Sequence, residues 1–93
     1  MKPLDSLPLP TAAVLYSVAA ERERQNRLWS REPGVWTAPD GVKLAVLTEE
    51  VGEVARGLLE RAALSDLKAE LVQVAAVAVA WAEAIDTELG GAS

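Results

Sequence analysis

The sequence predicts an all-α protein, a three-helix protomer with an N-terminal arm that oligomerises around a four-helix-bundle core. Three observations predict it. Apolar residues recur at i, i+3, i+4 spacing along most of the chain. No segment alternates with the period of a strand. The run from Leu71 to Ala82 is apolar nearly all the way round a helix, more than a chain of 93 residues can cover by itself. A homodimer or homotetramer is therefore expected, with the second and third helices of two chains forming the shared core.

Residues 1–10 read as an extended arm, because Pro3, Pro8 and Pro10 oppose helix while Leu4, Leu7 and Leu9 can lie against a neighbouring surface. A single domain follows over residues 11–89, and residues 90–93 form a flexible C-terminus. Thr11 is the expected N-cap of a first helix ending at Trp29, with Ala12, Leu15, Tyr16, Ala19 and Ala20 on its apolar face and a polar second half, ERERQNR. Tyr16 is expected in the core. Residues 30–41, SREPGVWTAPDG, form a loop closed by Asp40-Gly41. The second helix is expected over Val42 to Arg61, with Leu44, Leu47, Val51, Ala55 and Leu58 as its stripe. Gly52 and Gly57 lie inside it, each costing about 1 kcal/mol relative to alanine, which close packing or an approaching ligand would explain. Ser65 or Asp66 is expected to cap a third helix that runs to Leu89 and stops at Gly90-Gly91.

Composition narrows the chemistry. The chain is 51% apolar, carries a net charge of −5 and has neither cysteine nor histidine. Disulfides and thiolate sites are excluded, along with the commonest general base and zinc ligand. A metal would have to be held by oxygen, which points to magnesium or manganese. The acidic balance argues against binding a nucleic-acid strand. The longest uncharged run, Leu71 to Ala82, falls short of the roughly 20 residues a membrane span requires, and the N-terminus lacks the apolar core of a secretory signal. A cytoplasmic protein with no membrane contact is the expectation.

The acids are the informative residues. Glu50 and Glu53 stand one helical turn apart beside an apolar stripe, and Glu70 shares a side of the third helix with Gln73, Val74, Val77 and Trp81. Carboxylates beside apolar surface call for a neutralising cation. Antiparallel packing of the second and third helices can bring Glu50, Glu53 and Glu70 to one point, a donor set suited to magnesium bridging to a substrate phosphate. Glutamate pairs at helical spacing also decorate ordinary solvated faces, and both readings stand at this level.

The stretch EEVGEVA, followed after a gap by ELVQVAAVAVAW, resembles the MazG-like nucleotide pyrophosphohydrolases, whose pattern is EExxE, a spacer and ExxD. Glu49, Glu50 and Glu53 match the first half, and Glu70 matches the second. The resemblance covers residues 42–89. It implies a magnesium-dependent hydrolysis of nucleoside triphosphates between the α- and β-phosphates, serving nucleotide-pool housecleaning, with manganese as a substitute metal. Glu50, Glu53 and Glu70 would coordinate metal, and Glu49 would position the attacking water. Gln73 replaces the family's fourth acid, so it would offer an uncharged amide oxygen. The basic C-terminal segment common in the family has no counterpart before Ser93, which leaves Arg22, Arg24, Arg27, Arg56 or Lys68 to contact phosphate. Trp29 and Trp36 could stack on a base or cover the bundle end, Gln25 and Asn26 could read base edges, and Trp81 is expected in the core. Gln73 also motivates the alternative, a catalytically inactive oligomerisation or nucleotide-sensing module on the same fold.

Overall fold

The computed structural model describes residues 3–29 and 35–90, except the Trp29 side chain; residues 30–34 of the expected loop and the Gly91 end of the third helix lie outside the described residues. These residues form three α-helices and one short 3-10 turn, with no strand among them. The 3-10 turn, Leu4–Ser6, occupies the middle of the expected arm and is closed by Ser6, whose amide and hydroxyl both donate to the Pro3 carbonyl.

Helix α1 spans Leu9–Trp29 and starts two residues before the expected cap. The Ala12 amide donates to the Pro8 carbonyl at 3.0 Å, which places Pro10 in the first turn. There a missing N–H costs nothing, since first-turn amides have no intrahelical partner. Helix α2 spans Asp40–Leu59, capped by the Pro39 carbonyl, with Asp40 at the positive end of the helix dipole. It ends in a Schellman motif, in which the Ala62 amide donates to Gly57 at 2.8 Å and the Arg61 amide to Leu58 at 3.3 Å. Arg61 takes the left-handed conformation, φ 56°, that this motif usually reserves for glycine. Helix α3 spans Leu64–Gly90. Its first amide bonds go to the Ala63 carbonyl, so Ser65 and Asp66 fall inside the first turn instead of capping it.

Helix α3 is the shared element: α1 and α2 each pack along it, and among the described residues their backbones do not pack on each other. Small residues make this possible. Ala76, Val77, Ala80 and Ala84 are the residues α3 buries. Val77 and Ala80 form the main cluster with Trp36, against which Ala38, Val46, Leu47 and Trp81 pack, so Trp81 belongs to the core side of α3.

Helix α1 is rotated relative to the expected stripe. It buries Ala12, Val18, Arg22 and Gln25, while Tyr16 is 55% exposed and Leu15 is also open. Tyr16 is therefore not core. The polar half of α1 takes part in the contact because Arg22 finds an acid on α3: its Nε donates to Glu83 at 2.9 Å.

The result is a flat molecule of 45 × 35 × 20 Å with a radius of gyration of 14.5 Å, against about 12 Å for a compact chain of this length. Its accessible surface is 6795 Å², where about 5200 Å² is usual for a compact protein of this mass. The surplus has a location. On α2, Leu44, Val51 and Leu58 are exposed, and on α3, Leu71, Val79, Ile85 and Leu89 are exposed. Helical periodicity places Leu44, Val51 and Leu58 together with Leu71, Ile85 and Leu89 on the face of the α2–α3 hairpin turned away from α1. Gly52 lies within the α2 stripe, and a Cβ added there would meet nothing within 4 Å, so packing inside the protomer does not account for it. At Gly57 the nearest atom would be the Ala62 Cβ at 3.6 Å, an ordinary contact across the Schellman turn.

Candidate functional site

The sequence puts Glu50 at the border of the α2 apolar stripe, and Glu70 on the side of α3 that carries Val74, Val77 and Trp81. The structure keeps them together. Each is half-buried, and each has a side-chain oxygen, Oε2, that is buried with no hydrogen-bond partner among the described residues. Burial pushes the Glu50 carboxyl above the usual carboxylate range, and the charges of Glu70, Glu49, Glu53 and Glu21 push it further. An unpartnered, partly desolvated carboxylate pair is unfavourable for folding, and a cation is what would relieve it.

The remaining acids do not close in. Among the described residues no three of them form a group able to hold a metal ion as their side chains stand. Glu53 turns along its own helix to accept from Arg56 Nη2 at 2.9 Å. That pair is exposed at i, i+3 spacing and therefore weak enough to exchange for another partner. The donor chemistry fits magnesium or manganese: oxygen ligands only, with two partner-free carboxylate oxygens already buried on neighbouring helices.

No family model, curated protein or solved structure matches this chain. The site must be read from its own geometry.

Two clefts open nearby, one with Glu50 in its wall and one walled by neither acid of the pair. One, of about 320 Å³, is lined by Trp36, Val42, Val46, Glu49 and Glu50. Trp36 is thus both a core residue and a wall beside the acids. Its indole is held by Lys43, a 95% buried lysine (5% exposed) whose Nζ lies 5.9 Å from the ring centroid and 3.8 Å from Asp40 Oδ1. The other cleft, of about 540 Å³, opens between α1 and the start of α3 and is lined by Ser17, Ala20, Glu21, Arg24, Arg27, Ser65, Lys68, Ala69, Val72 and Gln73.

Of the residues expected to contact substrate, Arg27 and Lys68 meet in this second cleft, together with Gln73, which lies one turn along α3 from Glu70. Arg22 stands elsewhere, buried against Glu83. Gln25 is 1% exposed, donates from Nε2 to Glu21 Oε2 at 3.2 Å and leaves its Oε1 buried without a partner, a setting unsuited to reading a base edge. Trp29 ends α1, and its side chain lies outside the described residues.

Glu21 is the residue that sequence reasoning missed. It comes from α1, yet its charge bears on Glu50 of α2. It accepts from Arg24 Nε at 2.8 Å and Nη2 at 2.7 Å, and these bonds hold its own carboxyl below the usual range. The available signal was the i, i+3 pair Glu21–Arg24 next to two further polar residues, all in a segment whose composition reads as solvated.

Proposed function

We propose that the chain is a divalent-metal-dependent nucleoside triphosphate pyrophosphohydrolase of the MazG-like kind, working as a homodimer. The observation that carries it is the Glu50–Glu70 pair: two carboxylates on neighbouring helices, each with a buried oxygen lacking a partner among the described residues, with Glu50 in the wall of an indole-lined cleft. Stability alone gives no reason for such a pair, whereas binding a cation and a polyphosphate does.

In this reading Glu50 and Glu70 hold magnesium or manganese, and Glu53 joins them by leaving Arg56. The bound cation would screen the triphosphate and polarise the phosphoryl group under attack. Glu49 is exposed and lines the Trp36 cleft beside Glu50. In this reading it orients a water and takes its proton as the α–β phosphoanhydride breaks, which leaves a monophosphate and pyrophosphate. Trp36, braced by Lys43, offers a stacking wall for the base. The open apolar face of α2 and α3 supports pairing with a second copy, since burying it completes a four-helix core.

Gln73 favours a second reading, a module that binds nucleotide without turnover, because it leaves the set one carboxylate short. Incubating the protein with ribo- and deoxynucleoside triphosphates and magnesium or manganese, and separating products by chromatography, decides between them. Monophosphate and pyrophosphate should appear, and Glu50→Gln should lower the rate at least a hundredfold. A folded protein that binds nucleotide but releases no pyrophosphate would establish the second reading.

A further inference from the structure

The cleft between α1 and α3 differs in charge from the rest of the molecule. The chain carries −5 overall, yet Arg24, Arg27 and Lys68 converge here, with Glu21 in the same wall and Glu23 paired to Arg27. The three cations are held to different degrees. Arg24 is bound to Glu21 by two hydrogen bonds. Arg27 has a side chain 66% exposed and pairs with Glu23 at 3.4 Å. Lys68 is exposed on the second turn of α3 and forms no ion pair among the described residues. Ser65, in the first turn of α3, adds a hydroxyl at the positive end of a 27-residue helix.

We propose that this cleft is an oligophosphate subsite, taking the terminal phosphates of the nucleotide whose inner phosphates lie at Glu50 and Glu70. It rests on the hydrolase reading for the identity of that ligand. Two boundary residues join the subsite to the carboxylate pair. Glu21 lines the cleft and acts electrostatically on Glu50, and Gln73 lines it one turn along α3 from Glu70. A phosphate chain leaving the carboxylates therefore enters a cleft with planar guanidinium donors and a compact ammonium, the groups that bind phosphate oxygens best. Gln73 acquires a purpose in this arrangement. Its amide nitrogen can donate to a phosphate oxygen, where an aspartate would repel it. The missing fourth acid thus reads as a phosphate donor at the junction of the two half-sites.

The test uses the full chain in the presence of a chelator, with inorganic tripolyphosphate as the probe, so that no metal enters the measurement. Calorimetry should show saturable binding that weakens with salt. Backbone amide shifts should move at Ser17, Ala69 and Val72. Arg27→Ala and Lys68→Ala, both at exposed positions where the fold is indifferent, should each weaken binding about tenfold, and Gln73→Asp should weaken it as well. Unchanged affinity in all three variants, or shifts confined to other surfaces, would overturn the subsite. The hydrolase reading is judged separately. Triphosphate turnover whose KM is untouched by Arg27→Ala and Lys68→Ala sinks the subsite and leaves the enzyme. Tripolyphosphate bound in the cleft with no turnover of any nucleotide keeps the subsite and sinks the enzyme.

Discussion

Glu50 concentrates the conflict between folding and function. Its carboxyl is pushed up by burial first and then by the neighbouring acids, so the protonated form is the one the fold favours. A raised folded pKa contributes stability below the unfolded value, near 4.3 for glutamate, and that contribution is lost as pH rises through the folded value. At neutral pH, ionised Glu50 therefore works against folding. We expect Glu50→Gln to raise Tm at pH 7 by roughly 2–5 °C and to match the wild type below pH 4, as read by thermal unfolding across pH. Magnesium should raise Tm of the wild type and leave that of the variant unmoved. A variant less stable than the wild type at pH 7 would mean that Glu50 has a partner in the fold. Glu21 has the opposite sign: Arg24 holds its carboxyl low, so its contribution is present at neutral pH and lost in acid. The Glu50–Glu70 pairing was legible because one helical turn and one antiparallel hairpin determine it. Glu21 was not, because its place depends on how α1 rotates on α3, and the buried Arg22 and Gln25 set that rotation against the apolar spacing.

At the scale of elements, helix existence and order follow from periodicity, and the boundaries follow from which carbonyl accepts the first amides. Pro8, Pro39 and Ala63 serve at the three starts. None offers a side-chain cap, so reading Thr11 and Ser65 or Asp66 as caps places the starts of α1 and α3 two or three residues late. The α2 terminus is the point of strain. Arg61 sits at φ 56° in the Schellman position, where a side chain costs about 1–2 kcal/mol and glycine costs none. Glycine loses part of that advantage through the greater freedom of its unfolded chain, about 0.5–1 kcal/mol. Arg61→Gly should therefore stabilise the protein by about 0.5–1 kcal/mol in a urea titration, with an unchanged m-value. A loss of stability would assign the Arg61 side chain a contact that outweighs its backbone strain.

For the whole molecule, the decisive feature is the imbalance between its two broad faces. One face of the α2–α3 hairpin carries α1, while the other carries Leu44, Val51 and Leu58 beside Leu71, Ile85 and Leu89, all exposed. The sequence already implied this surplus, since α3 is apolar around its circumference and a 93-residue chain has too few helices to enclose it. Which residues remain outside could be read only after α1 had taken its side of α3. Val51 is 51% exposed in the protomer, so a charge there costs the single chain little. In a two-fold interface the same charge appears twice, buried and unpaired, and should abolish association. We expect light scattering to give twice the 9.9 kDa of one chain for the wild type, and 9.9 kDa for Val51→Glu with its helical circular dichroism retained. Ala78→Glu, on the exposed side of α3, should behave in the same way. A wild type that stays at 9.9 kDa at every concentration would leave this face for another partner and remove the dimer from the proposed function.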